Sequence, residues 1–147
     1  MKKPNAVVDL LDVNVWLALA NEDHQHHQRA KLYWEQESAA KFAFCRVTML
    51  SFLRLSTNPK VMAGQPFSAA EAWAAYRAFR ALPEVELVEE SPKVESVMAK
   101  LTDYPDFPQS RWTDSYLASV ALSSNSRLVS FDSDFHHFKS LQFFHLH

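Results

Sequence analysis

Short apolar runs separated by helical patterns constrain this chain more than any other feature. Strand signals fall at residues 6–11 (AVVDLL) and in KFAFC, VELVE, RLVSF and LQFFHLH. Most of the stretches between them carry a helix signature. WLALA opens a short helix, and Asp23 is a plausible N-cap for HQHHQRAKLYWEQES, where Ala30, Tyr33, Trp34 and Glu37 share a side. VTMLSFLRLS is a mostly apolar helix that TNP closes, because proline disfavours a helical residue before it. Ser68 and Glu71 form a capping box for a helix reaching about Arg80. Ser91 and Pro92 supply an N-cap and first-turn proline for a helix with a Val94, Val97, Met98, Leu101 stripe. After the turn-rich TDYPDFPQS comes a helix through RWTDSYLASVALSS. Strands alternating with helices predict an α/β fold, a three-layer sandwich with a mostly parallel central sheet.

Length and composition narrow the chemistry. The 147 residues make one ordinary domain, 1–147, and 48% hydrophobic content is ample for its core. No run of about 18 apolar residues exists to span a membrane. Asp9 and Asp12 break the apolar run behind Lys2 and Lys3, which argues against a signal peptide and leaves the cytoplasm as the expected location. The lone Cys45 offers neither an intrachain disulfide nor a thiolate cluster. With a net charge of −2, a global basic field is absent, so nucleic-acid contact has to be local. A single glycine, Gly64, excludes dinucleotide fingerprints and P-loops, which need several for close phosphate approach.

Acidic residues at strand ends carry the functional signal, because open α/β sheets gather ligands beyond the carboxyl ends of their strands. Asp12 ends the first strand, and Asp132 in LVSFDSDF ends the fourth. Strand alternation points Asp9 away from Asp12, leaving Asp9 as a paired or edge-exposed structural acid. Asp114 sits in the first turn of its helix on the stripe of Leu117, Ala118 and Ala121, where a carboxylate needs a partner or a metal. Were Asp12, Asp114 and Asp132 to converge to about 5 Å, each ionised pair would repel by about 3 kcal/mol at an effective dielectric near ~20. A hard cation, Mg²⁺ or Mn²⁺, offsets that economically and supports attack of metal-bound water on a phosphodiester.

LLDVNVWLAL, VTMLSFLRLSTNP, TDSYLASVA and LVSFDSDF, in this order and spacing, resemble the PIN-domain ribonucleases, in particular the VapC toxins of toxin–antitoxin pairs. The resemblance implies Mg²⁺- or Mn²⁺-dependent RNA cleavage, a homodimer and a small VapB-like antitoxin partner. By position it implies that Asp12, Asp114 and Asp132 are the catalytic metal ligands. It makes Asn14 a support for Asp12, Thr113 and Ser130 pocket hydroxyls, and Asp134 an accessory acid. One departure stands out: Ser51 in SFLR occupies a position where the family usually has glutamate. That departure argues against a fully occupied two-metal site, with Asp106 as a candidate replacement, and raises the alternative of a non-catalytic PIN-like binding module with a degraded site. A phosphoacceptor receiver also clusters acids at strand ends, but LVSFD lacks the late-strand lysine such domains carry.

The remaining candidates read less sharply. Arg46, Arg54, Lys60 and Arg111 are RNA-phosphate contacts or solvated charges. His24, His26 and His27 lack an acid or cysteine to complete a zinc set. His136 and His137 are loop residues or general acids, and His145 and His147 share a strand face. Trp16, Trp34, Trp73 and Trp112 are expected mostly in the core, while Trp73, Tyr76 and Phe79 on the capped helix are also placed to form a groove for an antitoxin helix or a second copy.

Overall fold

The computed structural model describes residues 6–147, so Lys2 and Lys3 of the leader argument lie outside it. In chain order its elements are β1 (Val8–Leu11), α1 (Val13–Ala20), α2 (His27–Leu32), β2 (Lys41–Phe44), α3 (Arg46–Ser56) and α4 (Ala69–Arg80). They continue with β3 (Val85–Leu87), α5 (Val94–Thr102), α6 (Trp112–Ser123), β4 (Arg127–Ser130) and β5 (Phe143–His145). A π-helical turn, Tyr33–Glu37, extends α2, and short 3₁₀ turns occupy Gln109–Arg111 and Ser133–His137.

The five strands form one sheet in the order β3-β2-β1-β4-β5, and every neighbouring pair is parallel. Parallel strands need crossovers, and these divide the helices between two faces. Leu11, Phe42, Phe44 and Val129 pack against Val15, Trp16, Tyr33, Phe52 and Tyr76 on one face. Leu10, Ala43 and Leu128 pack against Val94, Leu117, Ala118 and Ala121 on the other. The result is the three-layer sandwich expected from the alternation. Because β1 leads outward to β2 and β3, while β4 returns to its other side, the order reverses between β1 and β4. A crevice opens there beyond the strand ends.

Three helix starts differ from expectation. The helix after β1 begins at Val13, before WLALA, because Asp12 is its N-cap and accepts from the Val13 amide at 2.7 Å. Asp23 does not cap α2. Its amide donates to Asn21 Oδ1 at 3.0 Å in a local turn, and the helix starts at His27. Likewise Ser91 Oγ accepts from Lys93, so α5 begins at Val94 rather than at Pro92. The Ser68 and Glu71 capping box forms as read, with bonds of 2.9 and 3.1 Å.

Asp9 is fully buried beside strand β4, and its charge is completely matched. Arg127 Nε and Nη2 donate to its two oxygens at 2.9 Å each, with Tyr33 Oη at 2.6 Å and the Ala39 amide at 2.9 Å. It is the paired structural acid of the two readings given above. Trp16 stacks on Phe44 at 3.8 Å and Trp34 on Phe42 at 3.6 Å, so these two tryptophans are core. Trp73 and Trp112 are not: they are 40% and 50% exposed. Each lies early in a helix and is only partly covered, Trp73 by Tyr76 and Arg77 and Trp112 by Phe107. No helix among the described residues is long and apolar enough to cross a membrane.

Candidate active site

The crevice between β1 and β4 receives its acids from three junctions. Strand β1 ends at Asp12, strand β4 leads through Phe131 to Asp132 and Asp134, and the first turn of α6 brings in Asp114. One carboxylate oxygen from each of Asp114, Asp132 and Asp134 lies within 4.8 Å of the other two. Asp12 sits deeper and outside that trio, yet the charges of Asp12 and Asp114, and of Asp12 and Asp132, act on each other. Asp106 is exposed at a left-handed turn, φ 63°, and stands outside the group.

Ser130 organises the deep end. Its hydroxyl donates to Asp12 Oδ2 at 2.7 Å and accepts from Asn14 Nδ2 at 3.1 Å and the Asp132 amide at 3.0 Å. One donor and both acceptor lone pairs are thereby used. Asn14 reaches Asp12 only through this hydroxyl, and its own Oδ1 accepts from the Phe131 amide at 3.3 Å. Asp132 in turn accepts from the Asp134 amide at 2.9 Å, which fixes the loop carrying both acids. Thr113 is exposed.

The electrostatics follow from this crowding. Burial pushes the Asp12 carboxyl up, partly offset by the bonds from Ser130 and Val13. Asp114 is raised from 3.8 to about 6, first by desolvation and then by the charges of Asp132, Asp12 and Asp134, with Arg111 opposing. A site that raises both the Asp12 and the Asp114 carboxyl is short of positive charge. Its donors are all hard oxygens, the set that Mg²⁺ and Mn²⁺ prefer, so the residues fit a divalent cation.

The basic and aromatic candidates divide by position. Arg46, at the start of α3, directly follows β2 at the strand-end rim. Arg111 donates to His137 Nε2 at 2.8 Å and lies near enough to Asp114 to act on its charge. Arg54 instead lines a groove of about 350 Å³ with Leu50, Leu53, Thr57, Ala72 and Trp73. Tyr76, buried, and Phe79 are packed among the core aromatics, so that groove uses Trp73 but not its two expected partners. Ser51 is half-buried on α3, and Lys60 is exposed in the following turn. A larger cleft of about 580 Å³, between Asn21–Gln25 and residues 61–67, includes none of the clustered acids.

Local bonding accounts for several histidines. His24 Nδ1 accepts from the His26 amide, His27 Nδ1 meets the Ala18 carbonyl at 2.8 Å, and His26 stacks on Phe131. His145 Nε2 bonds the Phe131 carbonyl at 3.1 Å, and His136 lies edge-on to Phe143. Sequence reasoning missed that His137 holds Arg111 and that Asp12 doubles as a helix cap. A helix pattern starting directly behind an aspartate is the signal that would have found the second.

An independent comparison agrees with this architecture. The sequence profile of the PIN domain matches residues 10–141. Ribonuclease VapC41 of Mycobacterium tuberculosis is 35% identical over 131 residues, covering 86% of this chain and 90% of the relative. Ribonuclease VapC31 of the same organism is 33% identical over 135 residues, covering 90% and 94%. The chain belongs to the PIN-domain family, in its VapC ribonuclease branch. Among solved structures, M. tuberculosis VapC20, described as a sarcin-ricin loop cleaving toxin, shares the fold with a TM-score of 0.66 at 18% identity, covering 91% of this chain and 97% of that one. Rickettsia felis VapBC2, solved on a promoter DNA fragment, matches with a TM-score of 0.66 at 15% identity, covering 95% and 99%.

Proposed function

We propose that this chain, as one domain, is a divalent-metal-dependent endoribonuclease acting in the cytoplasm as the toxin of a VapBC-like pair. The observation that carries the reading is the carboxylate cluster at the β1–β4 crevice, with Asp114 pushed to about 6 by desolvation and then by its acidic neighbours. Asp12, Asp114 and Asp132 would hold Mg²⁺ or Mn²⁺, with Asp134 as an accessory ligand. A bound ion would supply Lewis-acid polarisation of the scissile phosphodiester and stabilise charge on the leaving oxygen.

The chain's own residues do the rest. Ser130 fixes the Asp12 carboxylate, and Asn14 fixes Ser130. Thr113, exposed one residue before Asp114, would meet substrate at the mouth. Arg46 and Arg111 would take RNA phosphates at the rim, and Arg54 would act from the groove side. Ser51 leaves fewer acids than the usual family set, which favours a single principal ion. The groove between α3 and α4, with exposed Leu50 and Trp73, suits the apolar face of an antitoxin helix. Relatives named VapC and neighbours solved as VapBC complexes support that partner, and we extend the reading to a homodimer.

Metal-dependent cleavage of total cellular RNA, mapped for the parent and for Asp114→Asn, tests the function. Cleavage by the parent alone is expected. Equal cleavage by both would refute the assignment of Asp114, and absence of carboxylate-dependent Mn²⁺ binding in the parent would favour a non-catalytic module.

A further inference from the structure

Beside the acids, three aromatic rings form a ladder whose two end rings stay exposed although the middle one, Phe107, is half-buried. Tyr104 lies edge-on to Phe107 at 5.5 Å, and Phe107 edge-on to Trp112 at 4.9 Å. Tyr104 and Trp112 remain 47% and 50% exposed. Trp112 is the first residue of α6, two before Asp114, so its backbone lies within about 6 Å of the acid's, while the ring projects from a different side of the helix. The residue before it is Arg111. Its guanidinium donates to His137 Nε2 at 2.8 Å, and because guanidinium only donates, that nitrogen is the acceptor and the ring proton sits on Nδ1. Among the described residues no carboxylate lies within salt-bridge distance of Arg111, so its charge acts on Asp114 from a distance and no direct ion pair occupies it.

We infer that Arg111 and Trp112 together bind the nucleotide next to the scissile phosphate, with its phosphate on Arg111 and its unpaired base stacked on Trp112. The inference rests on reading the acid cluster as an RNA-cleaving site. Phe107 backs the indole, Tyr104 extends the platform, and His137 is a positioning residue that presents Arg111. A cation and an exposed aromatic on consecutive residues match the spacing of phosphate and base within one nucleotide, and aromatic stacking accepts any base once it is unstacked from a helix. A purely protein-facing patch would not call for a guanidinium beside it that makes no direct ion pair and lies within electrostatic reach of the acids.

The test is binding of a fluorescein-labelled single-stranded oligoribonucleotide in EDTA, where cleavage cannot interfere, with sedimentation velocity of each variant. Trp112→Ala should weaken binding about tenfold, and Trp112→Phe should retain most of it. Arg111→Ala should lower the slope of log affinity against log salt by about one. In metal-containing cleavage assays His137→Ala should raise KM more than it lowers kcat, with His137→Gln restoring KM, since glutamine still offers an acceptor to Arg111. A single abasic nucleotide beside the cleavage position should weaken the parent and not further weaken Trp112→Ala. Unchanged RNA affinity in Trp112→Ala overturns the inference. So does a variant that loses only self-association, which would make the ladder a contact between copies. A parent that neither binds nor cleaves RNA fails both readings, whereas a parent that cleaves and a Trp112→Ala variant that matches it fails this one alone.

Discussion

Ser130 Oγ donates to Asp12 Oδ2 at 2.7 Å across the β1–β4 junction, and among the described residues no other side chain does so. The bond joins the two strands at the point where the sheet order reverses, so the alignment of the deepest acid depends on one hydroxyl. Ser130→Ala removes that donor and also frees Asn14 Nδ2 and the Asp132 amide. We expect kcat to fall roughly 10- to 100-fold, the usual effect of losing a group that orients a metal ligand, together with a stability loss of about 1–3 kcal/mol from the freed donors. Asn14→Ala should act in the same direction and less strongly. Single-turnover cleavage at saturating Mn²⁺ measures both, and an unimpaired Ser130→Ala enzyme would show that Asp12 needs no such support.

The raised carboxyls set a pH dependence. Asp114 must lose a proton at about 6 before it can hold a cation, so Mn²⁺ affinity should be nearly constant above that pH and fall up to tenfold per unit below it. Stability of the metal-free protein runs the other way. Because the folded pKa lies above the ordinary 3.8, this group favours the folded state at low pH, and the benefit disappears as pH rises from about 4 through 6. Asp114 is half-exposed, and solvent screening holds the change to about 1 kcal/mol. Asp114→Asn should flatten that part of the stability profile. Urea unfolding across the window, with and without Mn²⁺, reads both effects, and an unshifted profile in Asp114→Asn would contradict the origin given.

At the other end of β1, Asp9 serves the fold alone. Its oxygens accept four protein donors, and Arg127 supplies two of them. Asp9→Ala would strand a largely buried guanidinium and should destabilise the protein by about 3–5 kcal/mol. The rate per folded molecule should not change. Replacing Asp9 and Arg127 together by apolar residues should recover much of the loss, because no uncompensated charge remains. Chemical denaturation of the single and double variants checks this, and a loss of cleavage without loss of stability would place Asp9 in the chemistry instead.

Asp9 and Asp12 also show what the sequence could and could not convey. Their three-residue separation in a strand fixes opposite orientations, so the division between a structural and a site acid was readable from periodicity. The Ser68 and Glu71 box was equally readable, because both halves of that motif lie within one helical turn. Asp134 was harder. Whether its carboxylate turns toward Asp114 depends on a 3₁₀ turn that Asp132 caps, a tertiary outcome with no local pattern. Trp112 misled for a related reason: hydrophobicity predicts burial, but the loop carrying Tyr104 and Phe107 packs against one side of the indole and leaves the other open. The start of α2 was missed because Asn21 takes the Asp23 amide and His24 the His26 amide in local turns, which delays the helix to His27.

Asp134 provides the most discriminating variant. It is exposed, its carboxylate lies within the three-acid group, and its charge helps to raise Asp114. Two effects follow from Asp134→Asn. Removing a neighbouring negative charge lowers the Asp114 pKa, so the acid limb of Mn²⁺ binding moves to lower pH whether or not Asp134 touches the ion. Removing a ligand weakens Mn²⁺ at every pH, by about tenfold. If Asp134 is an accessory ligand, titrations of Mn²⁺ well above pH ~6, where Asp114 is ionised in both proteins, will show the weaker binding. If it only tunes its neighbour, affinities there will coincide and the curves will separate only on the acid side. Since Ser51 contributes no carboxylate, a variant that loses affinity at high pH would identify Asp134 as the acid that completes the cation site in this chain.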